Sequence, residues 1–143
     1  AGYDGGILKE SEERLREALE RDPESIEARR LLGHLFMIRN NPAMAEIHYR
    51  RILDIDPRNA AAMNDLAIAF HRGGDLAKAI AGLESAVDRG CTIPETYYNL
   101  AVMLIESGDG EKAPDGVERY LSIDPSSPWS RRLREIYGSR AGE

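Results

Sequence analysis

The sequence predicts an all-α fold: a solenoid of three stacked helix pairs, with half a pair before them and a closing helix after. Three observations predict it. The first is a period. Leu66-Ala67, Phe70, Gly74-Asp75, Ala79 and Leu83 recur 34 residues earlier as Leu32-Gly33, Phe36, Asn40-Asn41, Ala45 and Tyr49. They recur 34 residues later as Leu100-Ala101, Leu104, Gly108-Asp109, Ala113 and Val117, and self-similarity at this spacing marks stacked helical units. The second is punctuation: each unit has a Gly or Asn turn followed by an Asn or Asp placed to cap its second helix. The third is that no segment of useful length has the two-residue rhythm of a half-buried strand.

The elements follow in order. Residues 1–6 hold three glycines and no pattern, and read as a disordered end. From Ile7 a helical rhythm begins, with Leu8, Leu15, Ala18 and Leu19 near one face. Asp22-Pro23 stops it, because the residue before proline avoids the helical region. Residues 7–25 therefore form the half repeat. In residues 26–59, Ser25 precedes and caps a helix carrying Leu32, Leu35 and Phe36; Asn40 and Asn41 break it. Asn41 then caps a second helix whose Pro42 stands where a missing N–H costs nothing, with Ala45, Tyr49 and Ile52 inward. Residues 60–93 repeat this with Asn59 as cap, Leu66 and Phe70 inward, a Gly73-Gly74 turn, Asp75 as cap, and Ala79, Leu83 and Ala86 inward. Residues 94–127 open on Pro94, place Leu100 and Leu104 inward and turn at Gly108-Asp109. Their second helix contains Pro114 and Gly116, so it is expected to start late or bend. Residues 128–143 give a last helix with Trp129, Leu133, Ile136 and Tyr137 along it, then a tail.

Composition narrows the function classes. The formal charge is −6, which argues against a phosphate-tracking nucleic-acid binder. The charge is uneven: residues 1–25 are net −4 and residues 128–143 net +2. No run approaches the roughly 18 apolar residues of a membrane helix, so no membrane insertion is expected. No leader pattern stands at the start, and nothing in the residues specifies a compartment. One cysteine, Cys91, leaves no internal disulfide and no cysteine-cluster metal site.

The spacing resembles the tetratricopeptide repeat family: 34 residues, Leu-Gly or Leu-Ala with an aromatic in the first helix, Ala with an apolar residue in the second, and a closing proline. Leu32-Gly33, Phe36, Ala45, Tyr49 and Pro57 fit it, as do Leu66-Ala67, Phe70, Ala79 and Leu83, and Leu100-Ala101, Leu104, Ala113 and Pro125. The small residues at 33, 67 and 101, and at 45, 79 and 113, allow close helix approach. Departures are Arg29 and Met63 where the family favours Trp, and Cys91 where it favours Pro; Cys91 and the extra turn around Thr92-Ile93 suggest a looser joint before Pro94. The resemblance implies a right-handed α-solenoid of three units with an N-terminal half repeat and a C-terminal capping helix.

It also implies that the first helices line a concave groove. The positions expected there are Glu27, Arg30, Leu31, His34 and Met37; then Asn64, Asp65, Ile68, His71 and Arg72; then Glu95, Tyr98, Asn99, Val102 and Ile105. Asn64 and Asn99 can each donate to and accept from a peptide backbone. Leu31, Ile68, Tyr98 and Val102 form an apolar strip beside them, which suits a bound peptide. Some members of the family grip chaperone C-terminal carboxylates with Lys, Asn and Arg. Here Arg30 and His34 stand for the first Lys and Asn, and acidic Asp65 and Glu95 replace the next, which would repel a carboxylate. His34, His48 and His71 have no partners at ligand spacing, and Cys91 has no implied base. No metal, cofactor or catalytic residue is expected.

The function expected is non-enzymatic: a protein–protein interaction module that binds a peptide segment or partner protein in its groove. Two other readings accompany it. One is a structural scaffold that self-associates head to tail through oppositely charged ends. The other is the regulatory segment of a longer protein.

Overall fold

The structure, a computed structural model, describes residues 2–108, 111 and 113–141. Among these there are eight helices and no strand: α1 (Gly2–Arg21), α2 (Ile26–Ile38), α3 (Pro42–Ile55), α4 (Ala60–Arg72), α5 (Leu76–Asp88), α6 (Pro94–Ser107), α7 (Ala113–Ile123) and α8 (Pro128–Ala141). They fall into two compact units, Ala1–Gly74 and Asp75–Glu143, so the helix pair of residues 60–93 is divided between them.

Local chemistry sets the boundaries. Ser25, Asn41, Asn59 and Asp75 each accept from a backbone N–H in the first turn of the helix they precede. Asn40, Gly74 and Gly108 occupy one position of the period, and all three have positive φ, at 56°, 87° and 85°. That is the left-handed conformation in which a helix reverses, open to glycine and, at lower cost than for other residues, to Asn. α7 begins at Ala113, one turn later in the period than α5 begins at Leu76. A late start is what Pro114 dictates, since proline sits well only in a first turn. Asp109 and the side chain of Ala113 lie outside the described residues.

Two expectations are corrected here. α1 begins at Gly2, so the end expected to be disordered enters the helix. Glycine costs about 1 kcal/mol against alanine in a helix but removes no hydrogen bond, so a ladder nucleated downstream can run back through it. The joint before Pro94 is not loose either. Cys91 is buried, its sulfur lies 3.4 Å from the Thr96 hydroxyl, and the Tyr97 hydroxyl donates to the Cys91 carbonyl at 2.6 Å.

In the first unit the core joins Leu32 and Phe36 of α2, Ala45, Tyr49 and Ile52 of α3, and Ala62 and Ala69 of α4, with Leu15 and Leu19 of α1 packed on it. Gly33 explains the closeness of α2 and α3: a Cβ there would overlap the Tyr49 ring, with Cζ at 2.7 Å. Leu66 and Phe70, expected inward, are only partly buried. Phe70 lies at the end of α4, where the Arg50 guanidinium covers its ring at 5.6 Å. In the second unit Ala79, Leu83 and Ala86 of α5, Leu100, Ala101 and Leu104 of α6, Val117 and Tyr120 of α7, and Leu133 of α8 are buried.

Candidate interaction surface

The expected groove positions lie on α2 and α4 in the first unit and on α6 in the second. Each helix has already spent one face on packing, Leu32, Leu35 and Phe36 on α2, for example. Residues offset from that face therefore remain at the surface.

On α2 and α4 the structure brings three of them together. Arg30 Nε donates to Asp65 Oδ2 at 2.7 Å, and His34 Nε2 lies 3.2 Å from the same oxygen. The hydrogen bond to Asp65 raises the Arg30 pKa, the direction expected when a carboxylate favours the cation. Such a half-exposed pair adds little stability, about 0–1 kcal/mol. Its consequence is orientation: Asp65 is committed to two neighbours and holds both in place. Arg72 Nη1 donates to the Met37 carbonyl at 3.0 Å, which ties the end of α4 to α2. Leu31 stays 46% exposed. Asn64 and His71 are partly buried and already take part in interactions within the chain, and Ile68 is partly buried.

On α6 the centre is aromatic. The Tyr98 ring lies 5.5 Å from that of Tyr120 and 5.3 Å from that of Trp129, the latter edge-on. Trp129 is 58% exposed. Asn99 is engaged within the chain and Val102 is partly buried. Ile105, expected at the surface, is a correction. It is 4% exposed, on the helix against which α8 packs. Sequence reasoning missed Trp129 and Tyr120 as neighbours of Tyr98. A large aromatic residue opening the last helix was the available signal; its contact depends on how α8 folds back. Asn64 and Asn99 fall in different units.

Two family models, both described as tetratricopeptide repeat, match the chain, one over residues 3–60 and 65–128 and the other over 48–81. The chain belongs to the tetratricopeptide repeat family. Repeats of this family mediate protein–protein interactions and are typically non-catalytic. The chain is 26% identical over 126 residues to the type IV pilus assembly protein PilF of Pseudomonas aeruginosa, covering 86% of this chain and 50% of PilF. It thus spans about half the length of that curated relative. Its fold is similar to that of MamA, with a TM-score of 0.76 at 19% identity over 99% of this chain and 95% of MamA. It is also similar to the first repeat domain of Spaghetti (RPAP3) bound to the HSP90 peptide SRMEEVD, with a TM-score of 0.73 at 21% identity over 84% and 96% of the two chains. These likenesses place the fold in the all-α solenoid class. Among the described residues no helix is long and apolar enough to cross a membrane.

Proposed function

We propose that the chain is a non-enzymatic interaction module that binds a peptide segment of a partner protein on the surface of its first helices. The observation that carries this reading is the pairing of large exposed apolar groups with pre-set polar ones. Leu31 stands on α2 beside the Arg30–Asp65–His34 cluster, and Trp129 lies against Tyr98 on α6. Aromatic and arginine side chains of this kind dominate binding energy at interfaces. Asn64 and Asn99 add carboxamides able to meet a peptide backbone. That the structural neighbour Spaghetti (RPAP3) is bound to an HSP90 peptide supports a peptide-binding reading, and PilF is named for an assembly role. A chaperone-tail clamp is not what these residues build, because Asp65 and Glu95 stand where donors are needed.

The test uses the chain as bait, with the bound segment of each captured protein mapped and resynthesised. Leu31→Asp should weaken a segment bound on α2 and α4, and Trp129→Ala one bound on α6, each by about tenfold or more, the effect of losing an interface anchor. Melting should stay unchanged. Unaltered affinity in both variants moves the site elsewhere.

A further inference from the structure

The second unit holds a cleft of about 360 Å³ on the opposite side of α6 from Tyr98, Asn99 and Val102, between α5 and α7. Its floor is apolar: Val87, Tyr97, Leu100 and Leu104. Its rim is acidic: Glu84 and Asp88 from α5 and Asp115 from α7, with Arg119 as the cationic lining residue among the described residues. Arg119 is drawn inward, its guanidinium 5.7 Å from the centre of the Tyr97 ring.

The repeat explains why space exists here. Gly116 stands two periods after His48, Leu104 two periods after Phe36, and Tyr97 two periods after Arg29. In the first unit this place is filled. The His48 imidazole stacks on Phe36 with ring centres 5.6 Å apart and planes 5° from parallel, and Arg29 places its Nε in the interior nearby. In the second unit position 116 has no side chain, and the nearest atom a Cβ would meet is 3.7 Å away on Ala101. The helix scaffold is alike and the filling group is missing. What fills the equivalent place from within is a flat, nitrogen-bearing ring with an arginine beside it.

The geometry points to a second docking site, in which this cleft receives an arginine side chain of an extended partner segment. The guanidinium is planar and carries donors that match carboxylates, so Asp88, Asp115 and Glu84 can accept from it. The Arg119 guanidinium over the Tyr97 ring shows that a guanidinium suits this part of the cleft chemically. The methylene stem would lie on Leu100, Leu104 and Val87, as arginine stems do on apolar surface. Among the described lining residues, three carboxylates stand against one guanidinium, which favours a basic partner and disfavours an acidic one. This site uses none of the groove residues, so it stands or falls separately from the peptide surface proposed above.

The probe is the peptide acetyl-Leu-Arg-Leu-amide, titrated into the whole isotope-labelled chain and followed by backbone amide shifts. Saturable shifts are expected at residues 84–88, 97–104 and 115–119. The citrulline counterpart, equal in shape but uncharged, should bind about tenfold more weakly or worse. The double variant Asp88→Asn, Asp115→Asn should lose binding while keeping its melting temperature. Gly116→His, which restores the residue of the first repeat, should block the cleft; if it fails to fold, the carboxamide variant decides alone. Equal binding of the citrulline peptide, shifts centred on α2 and α4, or no saturable shift at all would overturn the proposal.

Discussion

His48 shows how a repeat position can be filled at a cost. It is buried, stacked flat on Phe36, and its Nδ1 has no hydrogen-bond partner. Burial pushes its pKa down, and the charges of Arg29 and Arg16 push it further, against an opposing pull from Glu12. The folded chain therefore takes up a proton on His48 less readily than the unfolded chain, whose pKa is about 6.5. Stability from the neutral ring is fully present above that value and is lost as pH falls below it. Glu12 adds a second loss at lower pH, because hydrogen bonds from Arg39 and Arg16 depress its pKa below the usual carboxylate value. Urea midpoints should thus decline as pH drops from about 7 to about 5. In His48→Phe that decline should flatten, since the ring contact stays and the titrating group goes. A decline of equal size in the variant would show that His48 is not its source.

At the scale of elements, α8 is the clearest case of a helix held by few anchors. Leu133 is fully buried, and Ser127 caps the helix through the Ser130 N–H at 3.1 Å. The buried Ser130 hydroxyl donates to the Asp124 carbonyl, and the Tyr120 hydroxyl donates to the Asp124 carboxylate at 3.2 Å. These polar contacts fix where the helix begins, and Leu133 supplies the apolar burial. Leu133→Ala should cost about 2–5 kcal/mol of packing. A terminal helix can open without the rest of the chain. The loss should therefore appear first as faster hydrogen exchange in α8, with α3 unchanged. Equal acceleration in both helices would mean that α8 opens only with the whole fold.

For the whole molecule, the ends raise the question of self-association. Leu15 and Leu19 pack on the core of the first unit, so the leucine face of α1 is already in use. Among the described side chains of this helix, Ile7 is the large apolar one left exposed, at half of its surface. Head-to-tail contact between the acidic start and the basic α8 is a proposal that this residue can test. If the chain assembles through its ends, light scattering at rising concentration should detect growth that Ile7→Glu abolishes with folding intact. Leu15→Glu cannot serve the purpose, because it strikes the core and should lower the melting temperature instead. A monomer at every concentration and salt level would remove the scaffold reading.

The sequence by itself determined that the chain is helical and where four of its helices are capped. Both depend on contacts three or four residues apart and on a period that repeats the same inward residues, so Ser25, Asn41, Asn59, Asp75 and the reversal at Asn40, Gly74 and Gly108 were all legible. The family followed from the same period. Only the tertiary structure decided which surface side chains meet. Arg30 and Asp65 are 35 residues apart and Tyr98 and Trp129 are 31 apart, and their contacts depend on how one helix lies across another. It also decided that Phe70 stays partly exposed under Arg50, that Ile105 is buried, and that Gly116 opens a cleft where His48 closes one. A periodic pattern says which face of a helix turns inward. How far each residue is covered depends on the volumes of neighbours on other helices, and the local pattern does not carry that information.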